Sequence, residues 1–139
     1  MASDDTDPAG MRIRHTMLRV RDLEKSVAFY TGLLGMSVMR RRESPDRGET
    51  VAYVGYGDED SHHALEIVQE HDPPESYHHG NTYGHIALAV PDVQTLSETL
   101  MAAGVEFTVP PQPVRAGSPN RLAFLKDPDG YEIELTERR

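Results

Sequence analysis

Four side chains in this chain of 139 residues combine the types and the spacing needed for metal chemistry: His15, Glu66, His85 and Glu134. Imidazole and carboxylate donors together suit a borderline divalent cation. A carboxylate beside such an ion is also placed to carry a proton. The four occur as two His…Glu pairs. The first lies in His15-Thr-Met-Leu-Arg-Val-Arg-Asp22 and Ala64-Leu-Glu-Ile-Val68, the second in His85-Ile-Ala-Leu-Ala-Val-Pro-Asp92 and Glu132-Ile-Glu-Leu-Thr136. His15 and His85 are 70 positions apart, as are Leu18 and Leu88, Val20 and Val90, and Asp22 and Asp92. Gly35 and Gly104 are separated by 69, and Glu66 and Glu134 by 68. Core packing alone does not require that His and Glu be repeated with the apolar residues. The duplication points to one metal site built from two halves, and so to an enzyme.

The elements that must position these residues read the same way twice. Residues 12–20 alternate as a strand. Asp22 is a candidate N-cap, Leu23, Val27, Tyr30 and Leu34 recur at helical spacing, and Gly35 stops the helix. Met36–Arg42, Thr50–Gly55 and Ala64–Gln69 read as strands separated by Gly, Pro and Asp turns. In the second half, 84–90 is a strand, and Asp92 caps a helix carrying Val93, Leu96, Leu100 and Ala103, which ends at Gly104. Strands follow near 106–109, 121–125 and 131–136, with a type I turn predicted at Asp127-Pro-Asp-Gly130. Each module is β-α-β-β-β. The expected organisation is a disordered tail over 1–10, a first module over 11–71, a linker over 72–82 and a second module over 83–139, all within one domain. A period this long lies beyond the ~20–50 residues of solenoid repeats and fits a duplicated small domain.

Strand parity places the candidates together. Side chains at i and i+2 share a face. His15, Met17 and Arg19 oppose Thr16, Leu18 and Val20. Glu66, Val68 and Glu70 oppose Leu65 and Ile67. Glu132, Glu134 and Thr136 oppose Tyr131, Ile133 and Leu135. Each candidate ligand therefore lies opposite an apolar set suited to packing on helices. Ala87 and Ala89 follow His85 on its face and leave room for a ligand. His62-His63, His71 and His78-His79 lie in polar loops and read as solvated. The run Arg40-Arg41-Arg42 reads as charge on an exposed strand and its turn, and Glu132 as a rim residue.

Composition narrows the partners. The net charge of −9 argues against nucleic acid, which calls for a basic face. There is no cysteine, so neither disulfides nor protein thiolates are available. No apolar run reaches membrane-spanning length and no signal peptide is visible. A cytoplasmic protein without membrane partners is the expectation.

The stretches His15-Thr-Met-Leu-Arg-Val20, Phe29-Tyr30, Leu34-Gly35-Met36, Val54-Gly-Tyr-Gly57, Tyr83-Gly-His-Ile-Ala-Leu88 and Asp127-Pro-Asp-Gly-Tyr-Glu-Ile-Glu-Leu135 resemble the lactoylglutathione lyases (glyoxalase I) of the vicinal-oxygen-chelate superfamily. The resemblance covers 11–137. It implies an α+β fold in which two βαβββ modules form a curved mixed sheet. It implies a divalent metal held by His15, Glu66, His85 and Glu134. It also implies a homodimer with shared active sites, each drawing His15 and Glu66 from one subunit and His85 and Glu134 from the other. The short chain looks like the bacterial type, which favours nickel or cobalt, with zinc as the third option.

The reaction so implied is that of a carbon–sulfur lyase. The hemithioacetal of methylglyoxal and a low-molecular-weight thiol is isomerised to an S-lactoyl thioester through an enediolate. Glu134 is the expected principal base. Glu66 is a ligand and a second proton acceptor for the other substrate epimer. The resemblance gives Arg19 the far carboxylate of the thiol cosubstrate, and about 13 Å of strand between His15 and Arg19 suits that span. It gives Arg115, in a Pro/Gly-rich loop, the other end. Glu70 stands where glutathione-dependent members carry Asn. An ionised Glu only accepts hydrogen bonds, whereas Asn also donates. The expected thiol is glutathione or, because Glu70 departs from the glutathione pattern, a γ-glutamylcysteine-like or other low-molecular-weight thiol. Two alternatives belong beside this reading: another metalloenzyme of the superfamily such as an acyl-CoA epimerase, and a metal-free small-molecule-binding protein.

Overall fold

The structure, a computed structural model, describes residues 10–137. The tail expected over 1–10 lies, except for Gly10, outside the described residues. The chain divides into two compact units at Glu75/Ser76, within the stretch 72–82.

In the first unit β1 (His15–Arg19) leads into α1 (Leu23–Ala28) and a wide helical turn over Phe29–Leu33. β2 (Ser37–Ser44), β3 (Glu49–Gly55) and β4 (Ala64–Glu70) follow. The sheet order is β1-β4-β3-β2, with β1 parallel to β4 and the other pairs antiparallel. The second unit repeats this plan with β5 (Ile86–Val90), α2 (Val93–Ala102), β6 (Phe107–Pro113), β7 (Arg121–Lys126) and β8 (Glu132–Glu137). Its order is β5-β8-β7-β6, with β5 parallel to β8. The fold is thus α+β, with one four-stranded mixed sheet and one helix per unit.

Helix starts follow from side-chain capping. Asp22 Oδ1 accepts from the Lys25 N–H at 3.1 Å, and Asp92 Oδ1 accepts from the Thr95 N–H at 3.0 Å. Such bonds satisfy N–H groups that have no partner within the helix. A second cap reaches each helix from the neighbouring sheet. Gln69 Oε1 accepts from the Leu23 N–H at 2.7 Å, and Glu137 Oε2 accepts from the Val93 N–H at 3.0 Å. Gly35 and Gly104 follow the helical segments at φ +75° and +87°, a conformation that L side chains with a Cβ resist.

One face of each sheet packs on its helix. Leu18, Val20, Leu65, Ile67, Ala52 and Val54 are buried with Leu23 and Val27 in the first unit. Ala123, Leu125, Ile133 and Leu135 are buried with Val93 and Leu100 in the second. β6 runs four residues beyond the expected 106–109. It is an edge strand, so Pro110, Pro111 and Pro113 withhold no N–H that a central position would need. The turn at 127–130 forms as expected. Asp127 C=O accepts from the Gly130 N–H at 3.0 Å, and Asp127 Oδ1 accepts from the N–H groups of Asp129 and Tyr131 at 2.9 Å each.

Candidate metal centre

Each unit brings its own His…Glu pair together. His15 Nε2 lies 3.3 Å from Glu66 Oε1, and His85 Nε2 lies 3.2 Å from Glu134 Oε1. Two donors that each sit about 2.1 Å from one ion, at a right angle to each other, stand about 3 Å apart. Both pairs have that spacing. The histidines are about one-third to two-fifths exposed and the carboxylates far less, at 12% and 18%. In each pair the imidazole is the more accessible partner and the carboxylate the more covered one. Among the described residues no three His, Asp or Glu side chains converge within the chain. Each half holds one His…Glu pair.

The parallel strand pairs create this geometry. Met17 pairs with Glu66 across β1 and β4, so His15, two residues before Met17, shares the face of Glu66. Ala87 pairs with Glu134 across β5 and β8, and His85 precedes it on the same side. Ala87 is small and exposed and stands directly opposite Glu134. Aromatic rings back both histidines. Tyr53 meets His15 edge-on at 5.7 Å, and Phe124 meets His85 edge-on at 5.1 Å.

The surroundings of the two carboxylates differ. The Tyr53 hydroxyl donates to Glu66 Oε2. Arg42 Nη2 donates to the same oxygen at 3.2 Å, and Arg42 Nε donates to the Tyr53 hydroxyl oxygen at 3.3 Å. These contacts, the bond to Tyr53 first, hold the Arg42 guanidinium above its usual pKa. Arg40 lies 3.9 Å over the Tyr53 ring and makes two bonds to Glu59, at 2.7 and 3.0 Å. Glu59 is held below the ordinary carboxylate range, chiefly by its hydrogen bond from Arg40. Around Glu134, among the described residues, only His85 is paired with the carboxylate.

Tyr53 and Arg42 were not among the residues expected from the sequence. The run 40–42 does lie on a strand, but it is not simply solvated charge on a strand and turn. Arg40 and Arg42 point to the ligand face and grip its residues, while Arg41 turns to the helix and pairs with Glu24 at 2.8 Å. The signal was the i, i+2 parity of Arg40 and Arg42, which leaves open which partner strand they face.

Of the loop histidines, His62, His63, His71 and His78 are exposed, as the solvated reading expects, and His79 is half-buried. His63 is tied to Thr16 Oγ1 at 2.9 Å and to the Ile13 carbonyl at 3.1 Å. His79 stacks flat on Tyr131 at 4.2 Å. His71 keeps a loose contact with Glu43 at 3.5 Å. Tyr83 donates to the Glu132 carbonyl at 2.9 Å, and burial pushes its phenol up to about 12. Glu132 is half-buried and accepts from Thr108 at 2.6 Å. Arg19 ends β1 beside Val68, two residues short of Glu70 on the same face. Arg115 is exposed in the turn after β6, where its carbonyl accepts from the Ser118 N–H.

Residues 12–135 match the model of the Glyoxalase/Bleomycin resistance protein/Dioxygenase superfamily. The chain belongs to this superfamily. Within it, the chain is 45% identical over 129 residues to the lactoylglutathione lyase of Salmonella typhimurium, covering 93% of this chain and 94% of that one. Glyoxalase I from Zea mays superposes with a TM-score of 0.84 at 38% identity, covering 91% of this chain. The chain spans only 44% of that plant protein. The trypanothione-dependent glyoxalase I of Leishmania major superposes with a TM-score of 0.80 at 39% identity, covering 91% of this chain and 86% of that one. Among the described residues of this glyoxalase-superfamily chain, no helix is long and apolar enough to cross a membrane.

Proposed function

We propose that this protein is a metal-dependent glyoxalase I that isomerises the hemithioacetal of methylglyoxal and a small thiol to an S-lactoyl thioester. The observation that carries the reading is the pair of matched His…Glu contacts at 3.3 and 3.2 Å, one in each half of a glyoxalase fold. It is supported by 45% identity to a lactoylglutathione lyase across nearly the whole of both chains.

His15, Glu66, His85 and Glu134 would hold the ion. Two imidazoles and two carboxylates fit nickel or cobalt, with zinc as the third candidate. When bound, a divalent ion supplies Lewis acidity that stabilises negative charge on the two adjacent oxygens of the substrate. Glu134 removes the proton from the carbon beside the carbonyl and returns it to the neighbouring carbon. Glu66 serves chiefly as a ligand. Arg19, with Glu70 close by on its face, engages the charged end of the thiol cosubstrate, and Arg115 the other end. The complete set of four donors comes from two copies of the chain, each copy giving one His…Glu pair to each site. The two units together form one family domain joined by 72–82, and the substrate places the enzyme in the cytoplasm.

The thiol deserves its own experiment, because Glu70 only accepts hydrogen bonds when ionised and a relative is trypanothione-dependent. Metal-stripped protein is expected to be inactive, and nickel or cobalt to restore thioester formation, read by ultraviolet absorbance. Glutathione, γ-glutamylcysteine and trypanothione hemithioacetals are compared in the same assay. Unchanged activity after complete chelation, or no thioester with any thiol, would remove the proposal.

A further inference from the structure

The two half-sites match in register and differ in the groups that surround their carboxylates. Tyr53 stands directly opposite Glu66 across β3 and β4, and Phe124 stands directly opposite Glu134 across β7 and β8. Each ring also meets the histidine of its own pair edge-on. In the first half both carboxylate oxygens are engaged. Glu66 Oε1 faces His15, while Oε2 accepts from the Tyr53 hydroxyl and from Arg42. Arg42 also donates to the Tyr53 oxygen, so the three side chains form a closed ring of hydrogen bonds. Tyr53 is only 3% exposed and lies beneath the Arg40 guanidinium, so its position is fixed. In the second half Phe124 offers no donor, and among the described residues His85 alone is paired with Glu134.

A carboxylate acting as a base must turn one oxygen toward a C–H bond. Glu66 cannot do so without breaking charge-assisted bonds to its second oxygen, which are stronger than neutral ones. Glu134 has that freedom. Groups that hydrogen-bond a metal-binding carboxylate also orient it and tune its affinity for the ion. We infer that Tyr53, locked by Arg42, is a positioning residue that commits Glu66 to ligation and reserves proton transfer for Glu134. The inference rests on the proposed reading that both carboxylates serve one divalent ion. It adds that the chain has made its two duplicated halves chemically unequal.

The test uses cobalt, titrated into the metal-stripped full-length protein, with affinity and the visible spectrum as readouts beside turnover. Tyr53→Phe removes the hydroxyl and keeps the ring under Arg40. It is expected to weaken cobalt binding about tenfold, to change the spectrum, and to lower turnover more at limiting than at saturating cobalt. Phe124→Tyr places a hydroxyl opposite the base. It is expected to leave cobalt affinity equal or tighter and to lower kcat by about tenfold or more. Tyr53→Phe with wild-type cobalt affinity and spectrum overturns the inference, as does Phe124→Tyr with wild-type kcat. A wild-type protein that binds cobalt without isomerising the hemithioacetal overturns the proposed reaction instead, and the cobalt comparison then tests the role of Tyr53 alone.

Discussion

Glu134 and Glu66 have the same chemistry in isolation and different surroundings in the fold. The carboxylate of Glu66 is shared among His15, Tyr53 and Arg42, and that of Glu134 meets His85. Division of labour between two carboxylates is set by environment rather than by residue type. Replacing Glu134 by Gln keeps the shape and one oxygen but would remove the proposed base. The variant is expected to keep its circular dichroism spectrum and some bound metal while losing about 100-fold or more of its turnover. A Glu134→Gln enzyme running at the wild-type rate would move the base elsewhere.

At the scale of elements, the loop between β3 and β4 is fastened by charge. Glu59 is held by Arg40 and approached by Arg14 at 3.8 Å, and its carbonyl accepts from Arg12 at 2.7 Å. Because Arg40 lowers the Glu59 pKa in the folded state, the stabilisation is fully present above the ordinary glutamate value. It is lost as pH falls through the lowered one. Urea midpoints at neutral pH and at about pH 3 should therefore fall further for wild type than for Glu59→Gln, which starts lower and changes less. The helix stops make a second expectation. A Cβ on Gly35 or Gly104 would meet no atom within 4 Å, so the cost of Ala there is backbone strain at positive φ. Gly35→Ala and Gly104→Ala are each expected to cost about 1–2 kcal/mol in urea unfolding. An unchanged midpoint would show that the backbone relaxes out of this conformation.

At the scale of the whole molecule, each chain carries one His…Glu pair in each of two units, and the proposed dimer would complete two sites. Complementation tests this directly. In a mixed dimer of His15→Ala and Glu134→Ala chains, one site collects both defects and the other collects none. If both variants are inactive alone, unfolding and refolding them together in equal amounts is expected to restore about a quarter of wild-type activity, because half the dimers are mixed and half their sites are intact. No recovery, with mixed dimers demonstrated by tagged subunits, would place all four donors of a site on one chain.

The duplication, the faces of the strands and the metal-binding residue types were legible in the amino-acid sequence. Parity along a strand is a local property with a period of two, so His15, Glu66 and Glu134 could be assigned to the face opposite Leu18, Ile67 and Ile133 without knowing the path of the chain. The caps at Asp22 and Asp92 and the stops at Gly35 and Gly104 were equally local. Register between strands is not local. Tyr53 and Glu66 are separated by the loop 56–63, and no pattern within either strand says that they stand opposite each other. The stacking of His79 on Tyr131 and the grip of Arg42 on Glu66 depend on the same long-range placement. The sequence alone determined which side chains share a surface with the candidate ligands. The tertiary structure decided which of those side chains touch them, because contact depends on how separate strands align and pairing across a loop is fixed only when the sheet has formed.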